Sequence, residues 1–193
     1  MYPFIKRTMD FLISLLALAV LWPLLILLGV LVKLTSPGPA LFSQVRSGRG
    51  LRPFRIYKFR TMYTTAPSDT PTHQLSGAKG YITPLGAFLR KTSLDELPQL
   101  WNILKGDMAL VGPRPPLPTQ TDLIAEREKY GANALRPGLT GWAQINGRDE
   151  LPIPEKAALD GEYVRRMGLK FDLKCILGTF SAVVRARGVK EGQ

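Results

Sequence analysis

The sequence predicts an α/β domain attached to a membrane surface, on three observations. From Phe11 to Val32, 22 consecutive residues carry no charge, enough to enter a bilayer. The rest alternates short strand-like runs with segments of helical apolar spacing. All but three of the 26 basic residues follow residue 35, so the net charge of +11 and pI of about 10.0 belong to the polar part. Hydrophobic residues make up 45% of the 193 and charged residues 21%, a balance that builds a core and argues against wholesale disorder. We divide the chain into an anchor, residues 1–35, and a cytosol-facing domain, residues 36–193. The basic balance draws that domain to anions: nucleic acid, acidic lipid or phosphorylated substrate. One cysteine, Cys175, cannot close an internal disulfide, and one histidine, His73, excludes a site that needs two.

The apolar run is longer than a signal-peptide core and passes into Lys33-Leu-Thr-Ser-Pro-Gly-Pro without a small-residue cleavage site, so it reads as a retained anchor. Pro23 sits near its middle, where it removes a backbone donor and predicts a kink. Basic residues flank both sides, Lys6 and Arg7 before and Lys33, Arg46, Arg49, Arg52 and Arg55 after. The charge count therefore leaves two arrangements open, a spanning helix and a re-entrant hairpin with both ends on one face.

Beyond the Pro37-Gly-Pro39 turn, Ala40 to Val45 reads as a strand. Pro53 to Arg60 alternates apolar with basic residues as a half-buried strand does, its polar face carrying Arg55, Lys58 and Arg60. Thr64 to Gly80, rich in Thr, Ser, Pro and Gly, reads as a loop. Thr83-Pro84 is a cap followed by proline at the first helical position, opening a short helix that ends near Lys91. Ser93-Leu94-Asp95-Glu96 has the form of a capping box, and Leu94, Leu97, Leu100, Trp101 and Leu104 recur at helical spacing until Lys105-Gly106. Met108 to Val111 reads as a strand running into the rigid loop Gly112-Pro113-Arg114-Pro115-Pro116. Thr121 to Tyr130 is a charged helix. Arg136 to Gly141 is turn chemistry, Trp142 to Ile145 a strand, and Asn146-Gly147-Arg148 a tight turn. Pro154 to Met167 and Leu169 to Arg187 read as helices, the second amphipathic and suited to a membrane interface.

Phosphate-binding GxxxxGK[ST], GxGxxG and GxSxG motifs are absent, as are paired cysteines. What remains is the acidic pair Asp95-Glu96 in a basic domain, with Arg90, Arg114 and Arg148 in three stiff segments around it. Such a set can bind Mg²⁺ and a diphosphate together. Adjacent helical residues point about 100° apart, so the two carboxylates share a site only if it lies over the helix N-terminus. A capping box needs Glu96 merely to bond back to the Ser93 amide, so these residues alone leave the function open.

Several motifs in order, Ile56-Tyr-Lys-Phe-Arg-Thr-Met62, Thr92-Ser-Leu-Asp-Glu-Leu-Pro-Gln-Leu-Trp-Asn102, Lys105-Gly-Asp-Met108, Val111-Gly-Pro-Arg-Pro115, Arg136-Pro-Gly-Leu-Thr-Gly-Trp142 and Gln144-Ile-Asn-Gly-Arg148, resemble the bacterial sugar transferases, the monotopic polyprenol-phosphate phosphoglycosyl transferases. The length resembles the minimal, catalytic-domain-only members. The resemblance implies transfer of a sugar 1-phosphate from a UDP-sugar to undecaprenyl phosphate with release of UMP, the first membrane step of glycoconjugate assembly. It makes Asp95 the nucleophile of a covalent phosphosugar intermediate and gives Glu96 a role with it at Mg²⁺. Arg114 and Arg148 match basic loop positions of the family, and Lys58, Arg60 and Arg90 join them as phosphate-neutralising candidates. Asp172 also matches a family position, with no role assigned. The family's anchor is a re-entrant helix-break-helix, which favours the hairpin here, although Trp22-Pro23 replaces the Ser-Pro of many minimal members. The implied location is the cytoplasmic face of the bacterial inner membrane, with membrane lipids as partners and no nucleic acid. The rival reading is a non-catalytic, membrane-anchored protein that binds acidic lipid or nucleic acid through its charge.

Overall fold

The computed structural model describes residues 2–67, 77–147 and 150–184, so His73, Arg148 and the residues after 184 lie outside the described residues. Its first element, α1 (Tyr2–Thr35), is long and apolar enough to cross a membrane. Pro23 lies inside this helix rather than between two helices. Only a narrow stripe is buried, Asp10, Ser14, Leu28 and Val32, while Phe4, Leu16, Val20, Trp22 and Leu34 are exposed. A helix that is apolar all round but covered on one side only needs lipid, not water, on the other.

Both ends of α1 are tied to the polar domain. Near the start, the Lys6 ammonium and the Tyr2 hydroxyl each donate to Asp172 at 2.7 Å. Arg7 donates to the carbonyls of Ile103 (2.6 Å) and Leu104 (2.9 Å), and Asp10 accepts from the Leu110 amide at 3.2 Å. At the far end, the Arg60 guanidinium donates to the Ser36 carbonyl (2.7 Å), the Ser36 hydroxyl (2.8 Å) and the Pro37 carbonyl. Arg60 was expected at the phosphate site. It caps the exit of the anchor instead, its two terminal guanidinium nitrogens held by Ser36 and Pro37 just beyond α1 while its Nε is buried without a partner.

An antiparallel hairpin follows, β1 (Leu41–Ser47) and β2 (Pro53–Phe59), in register from Leu41 opposite Phe59 to Ser47 opposite Pro53. The short helix α2 (Ala78–Tyr81) precedes α3 (Pro84–Thr92), where the Thr83 hydroxyl accepts from the Gly86 amide at 2.9 Å as the cap predicts. Gly86 admits the Thr61 carbonyl so closely that a Cβ would lie 2.0 Å from it, and this draws α3 onto the end of β2. The expected capping box does not form. Ser93 adopts φ +57° as it ends α3, so its side chain caps nothing, and Leu94–Glu96 make a single 3₁₀ turn before α4 (Gln99–Lys105).

A second two-stranded sheet pairs β3 (Ala109–Val111) in parallel with β4 (Gly138–Thr140), joined through α5 (Thr121–Glu128). The sequence expectation placed a strand at Trp142–Ile145, but these residues form a short helix, α6, and the strand lies just before it. Trp142 explains the difference. Its indole donates to Glu162 at 2.7 Å and its ring packs on Phe171 with centroids 4.9 Å apart, so tertiary partners override a four-residue apolar run. Those partners sit on α7 (Ile153–Arg166) and α8 (Leu169–Val184).

Among the described residues, three apolar clusters join the parts. Leu28 and Val32 of α1 pack with Phe59 and Leu89, and Ile56 packs with Leu100, Ile103 and Met108. Val111, Tyr163, Phe171 and Cys175 form the third. Leu173, Leu177 and Phe180 leave an exposed apolar face on α8.

Candidate active site

The left-handed turn at Ser93 reverses the chain, so Asp95 and Glu96 face β2 instead of continuing α3. Both are buried, at 7% and 6% exposure. The Oε1 atom of Glu96 accepts from Lys58 Nζ at 2.8 Å and from Arg114 Nη2 at 3.0 Å. Lys58 and Arg114 thus meet at one carboxylate, a pairing that the sequence analysis, which named both only as candidates for neutralising phosphate, did not contain. Arg90, in the last turn of α3, bonds Thr61 Oγ1 at 2.9 Å and lies near enough to Asp95 to favour its charged form. Arg148 falls outside the described residues, and Arg60 is held at the end of α1.

Burial pushes the Asp95 carboxyl above its ordinary range. Glu96 pushes in the same direction, while Lys58, Arg90 and Arg114 oppose it. Burial lowers the Lys58 ammonium, which Glu96 sustains. A largely desolvated carboxylate beside fixed cations is suited to attack on an anionic centre, because the cations are already in place and need no reorganisation.

Arg114 is aimed by a scaffold that sequence reasoning missed. Its carbonyl accepts from Arg127 Nη1 at 2.8 Å, and Arg127 is itself paired with Asp160 at 2.7 Å, both side chains at most 2% exposed. From the other side, the Arg46 guanidinium and the Ser47 amide donate to the Pro115 and Pro116 carbonyls at 3.2 and 3.0 Å. Nothing in the spacing of Arg127 and Asp160 links them, since they meet only through the packing of α5 on α7. Asp172 now has a role. It receives Tyr2, Lys6 and Tyr163, and so locks the start of the anchor to α7 and α8.

Mg²⁺ takes hard oxygen ligands, commonly one or two carboxylates, with phosphate oxygens and water completing its shell. Asp95 and Glu96 fit that donor set. No group of three or more His, Cys, Asp and Glu that could hold a metal occurs among the described residues, so such an ion would rely on phosphate oxygens as well.

A buried acidic pair thus lies under converging cations, on a domain whose first helix is long and apolar enough to cross a membrane. The chain belongs to the bacterial sugar transferase family, which residues 1–186 match. It is 42% identical over 192 residues to the undecaprenyl-phosphate glucose phosphotransferase of Komagataeibacter xylinus, covering 94% of this chain and 36% of that protein. It is 42% identical over 188 residues to the UDP-glucose:undecaprenyl-phosphate glucose-1-phosphate transferase of Caulobacter vibrioides, covering 93% and 69%. To the UDP-N-acetylgalactosamine-undecaprenyl-phosphate N-acetylgalactosaminephosphotransferase of Aeromonas hydrophila it is 37% identical over 194 residues, covering 98% and 46%. The chain thus spans less than half the length of the first and third of these relatives.

Proposed function

We propose that this chain transfers a sugar 1-phosphate from a UDP-sugar to undecaprenyl phosphate through a phosphosugar intermediate on Asp95. The observation that carries the reading is the buried Asp95, next to a glutamate held by Lys58 and Arg114, in a chain of this family. An Asp95 oxygen attacks the phosphorus that bears the sugar, and the bond from that phosphorus to the oxygen bridging it to UMP breaks. UMP leaves with that oxygen. An oxygen of the acceptor phosphate then attacks the same phosphorus, expels the Asp95 carboxylate and yields the lipid diphosphate sugar. Lys58 and Arg114 hold Glu96 and offset phosphate charge, and Lys58, Arg90 and Arg114 all favour the charged form of Asp95 against its burial. Bound at Asp95 and Glu96, Mg²⁺ would neutralise diphosphate charge that otherwise repels the nucleophile.

The anchor is read as re-entrant, with both ends at the cytoplasmic face of the inner membrane. Support comes from the two sets of contacts that tie Lys6 and Ser36 to one domain, since a spanning helix parts its ends by some 30 Å of hydrocarbon. The acidic pair counts against a purely charge-driven binder, which has no use for buried carboxylates within a basic domain.

The test is UMP release by the solubilised protein with undecaprenyl phosphate and a panel of UDP-sugars, UDP-glucose first because two of the relatives are named for glucose. Release that needs Mg²⁺, stops with EDTA and is lost in Asp95→Asn is the expected result. Equal release by Asp95→Asn removes Asp95 from the mechanism.

A further inference from the structure

Lys58 reaches Glu96 from β2, whereas Glu96 stands just ahead of α4, so the pair forms only if the strand and the helix keep one register. Side chains of a strand alternate between its faces, which puts Ile56 on the same face as Lys58. Ile56 packs there against Leu100 and Ile103 of α4. Apolar packing holds the two elements together but is non-directional, and a slide of one residue along β2 would carry Lys58 by about 3.3 Å.

Asn102, on α4 and fully buried, supplies the direction. Its Oδ1 atom accepts from the Tyr57 amide at 3.1 Å, and its Nδ2 atom donates to the Arg55 carbonyl at 2.7 Å. Among the described residues β1 is the only strand that pairs with β2, so one carboxamide stands where a second neighbouring strand would. The carboxamide is held in turn. Gly106, at φ +95°, turns the chain back at the end of α4, and the Gly106, Asp107 and Met108 amides donate to the Asn102 carbonyl at 3.1, 3.0 and 3.3 Å. This brings the Asp107 carboxylate within 3.2 Å of Asn102 Nδ2. With its oxygen and both amide hydrogens engaged, the side chain has one orientation, and Lys105-Gly-Asp-Met108 gains a purpose although it lies at the opposite end of α4 from the acidic turn.

Resting on the transferase reading, we infer that Asn102 is a positioning residue: it fixes the register of β2 on α4 and thereby holds the Lys58 ammonium at Glu96, beside the phosphate that Asp95 attacks. It acts through Lys58 and not on the substrates. Lysine carries its charge on a long flexible stem, so the ammonium stays where it is needed only if the backbone that bears it is fixed. A misplacement of about 1 Å can cost up to about 100-fold in rate.

The experiment uses the full chain in nanodiscs of phosphatidylcholine and phosphatidylglycerol, which carry no amine, and follows acetylation of individual lysines by acetic anhydride with mass spectrometry. Lys58 and Lys6 are matched probes, each ion-paired and with side-chain exposures of 17% and 11%. Asn102→Ala is expected to raise the acetylation rate at Lys58 about tenfold and to leave Lys6 unchanged. A rise at both lysines would mean general loosening of the fold, and an unchanged Lys58 would mean that the register survives without the carboxamide; either overturns the inference. Asp107→Ala guards against misfolding of the first variant, because the Asp107 side chain is 24% exposed and its loss leaves both bonds from Asn102 to β2 in place. It removes one support of the carboxamide and is expected to raise the Lys58 rate about twofold at an unchanged Lys6, and it decides alone if Asn102→Ala does not fold. UMP release gives a second readout. Each variant is expected to lose donor kcat/KM by about the factor that its Lys58 gains in reactivity. Full activity with a freed Lys58 overturns the inference and leaves the transferase reading intact. A parent that releases no UMP with any donor overturns the transferase reading, and with it the catalytic half of the inference, while the Lys58 rates still report whether Asn102 holds the register.

Discussion

At Glu96 a sequence pattern and a structure part company for a definable reason. Ser-x-x-Glu is the signature of a helix cap, and the same four residues are compatible with a glutamate that pairs with distant cations. The choice is made by Ser93, which is already the left-handed end of α3 and cannot also take the extended conformation of an N-cap. The acidic pair and Lys58, Arg90 and Arg114 were therefore legible as a charged constellation, but the ion pairs of Glu96 were not, because they depend on β2 and on a loop 18 residues further on. Glu96→Gln should lower stability by about 2–3 kcal/mol, since it leaves Lys58 desolvated with a neutral neighbour, and denaturant unfolding measures this. Asp95→Asn should leave folding intact and reduce UMP release at least ~1,000-fold. On the proposed mechanism Asp95 must be ionised to attack, and burial raises its pKa above the ordinary 3.8. In the free enzyme kcat/KM should therefore fall with decreasing pH through a midpoint above that value. A midpoint at or below it would show that burial does not raise the carboxyl in the folded site.

Whole elements were read well where periodicity was long and poorly where it was short. The hairpin, α3 and α7 appear within a residue or two of their expected bounds, because alternation or a cap with N1 proline fixes them. The run at Trp142–Ile145 was too short for its period to distinguish strand from helix, and Glu162 and Phe171 decided it. The Arg127–Asp160 pair shows what lies beyond sequence reading: two ordinary charged residues on charged helices become the buried support of the Arg114 loop. Replacing one partner, as in Asp160→Asn, strands a buried guanidinium and should cost about 3–5 kcal/mol. Replacing both, as in Arg127→Met with Asp160→Leu, should recover much of that loss. The double variant should nevertheless keep a raised donor KM, because the Arg114 carbonyl has lost its anchor. Denaturation midpoints and donor KM separate the two effects, and a normal KM in the double variant would show that Arg46 and Ser47 suffice to hold the loop.

For the molecule as a whole, the anchor decides how the acidic site meets the membrane. The charge count left a spanning helix and a hairpin both open, since basic residues occur on either flank, and the family resemblance favoured the hairpin. The contacts of α1 are what the proposed re-entrant arrangement rests on. Asp172, Ile103, Leu104 and Leu110 hold its first turns, while Arg60 holds its last, and all belong to one polar domain. As a straight rod, 34 residues extend roughly 50 Å, more than enough to cross 30 Å of hydrocarbon, so length alone permits spanning and the tethers oppose it. Cysteines placed at Pro3 and Lys33, both exposed, test this with a membrane-impermeant maleimide in sealed inverted vesicles. The native thiol need not be removed, because Cys175 is fully buried and burial pushes its pKa up to about 11, which leaves almost no thiolate at neutral pH. Both introduced cysteines should react without permeabilisation, and the parent should stay unlabelled. Reaction of only one before permeabilisation would place the two ends on opposite faces. The tethers at Asp172 and Arg60 could then not both exist in the membrane, and the acidic site would have to reach the lipid acceptor from a helix standing upright rather than one lying along the domain.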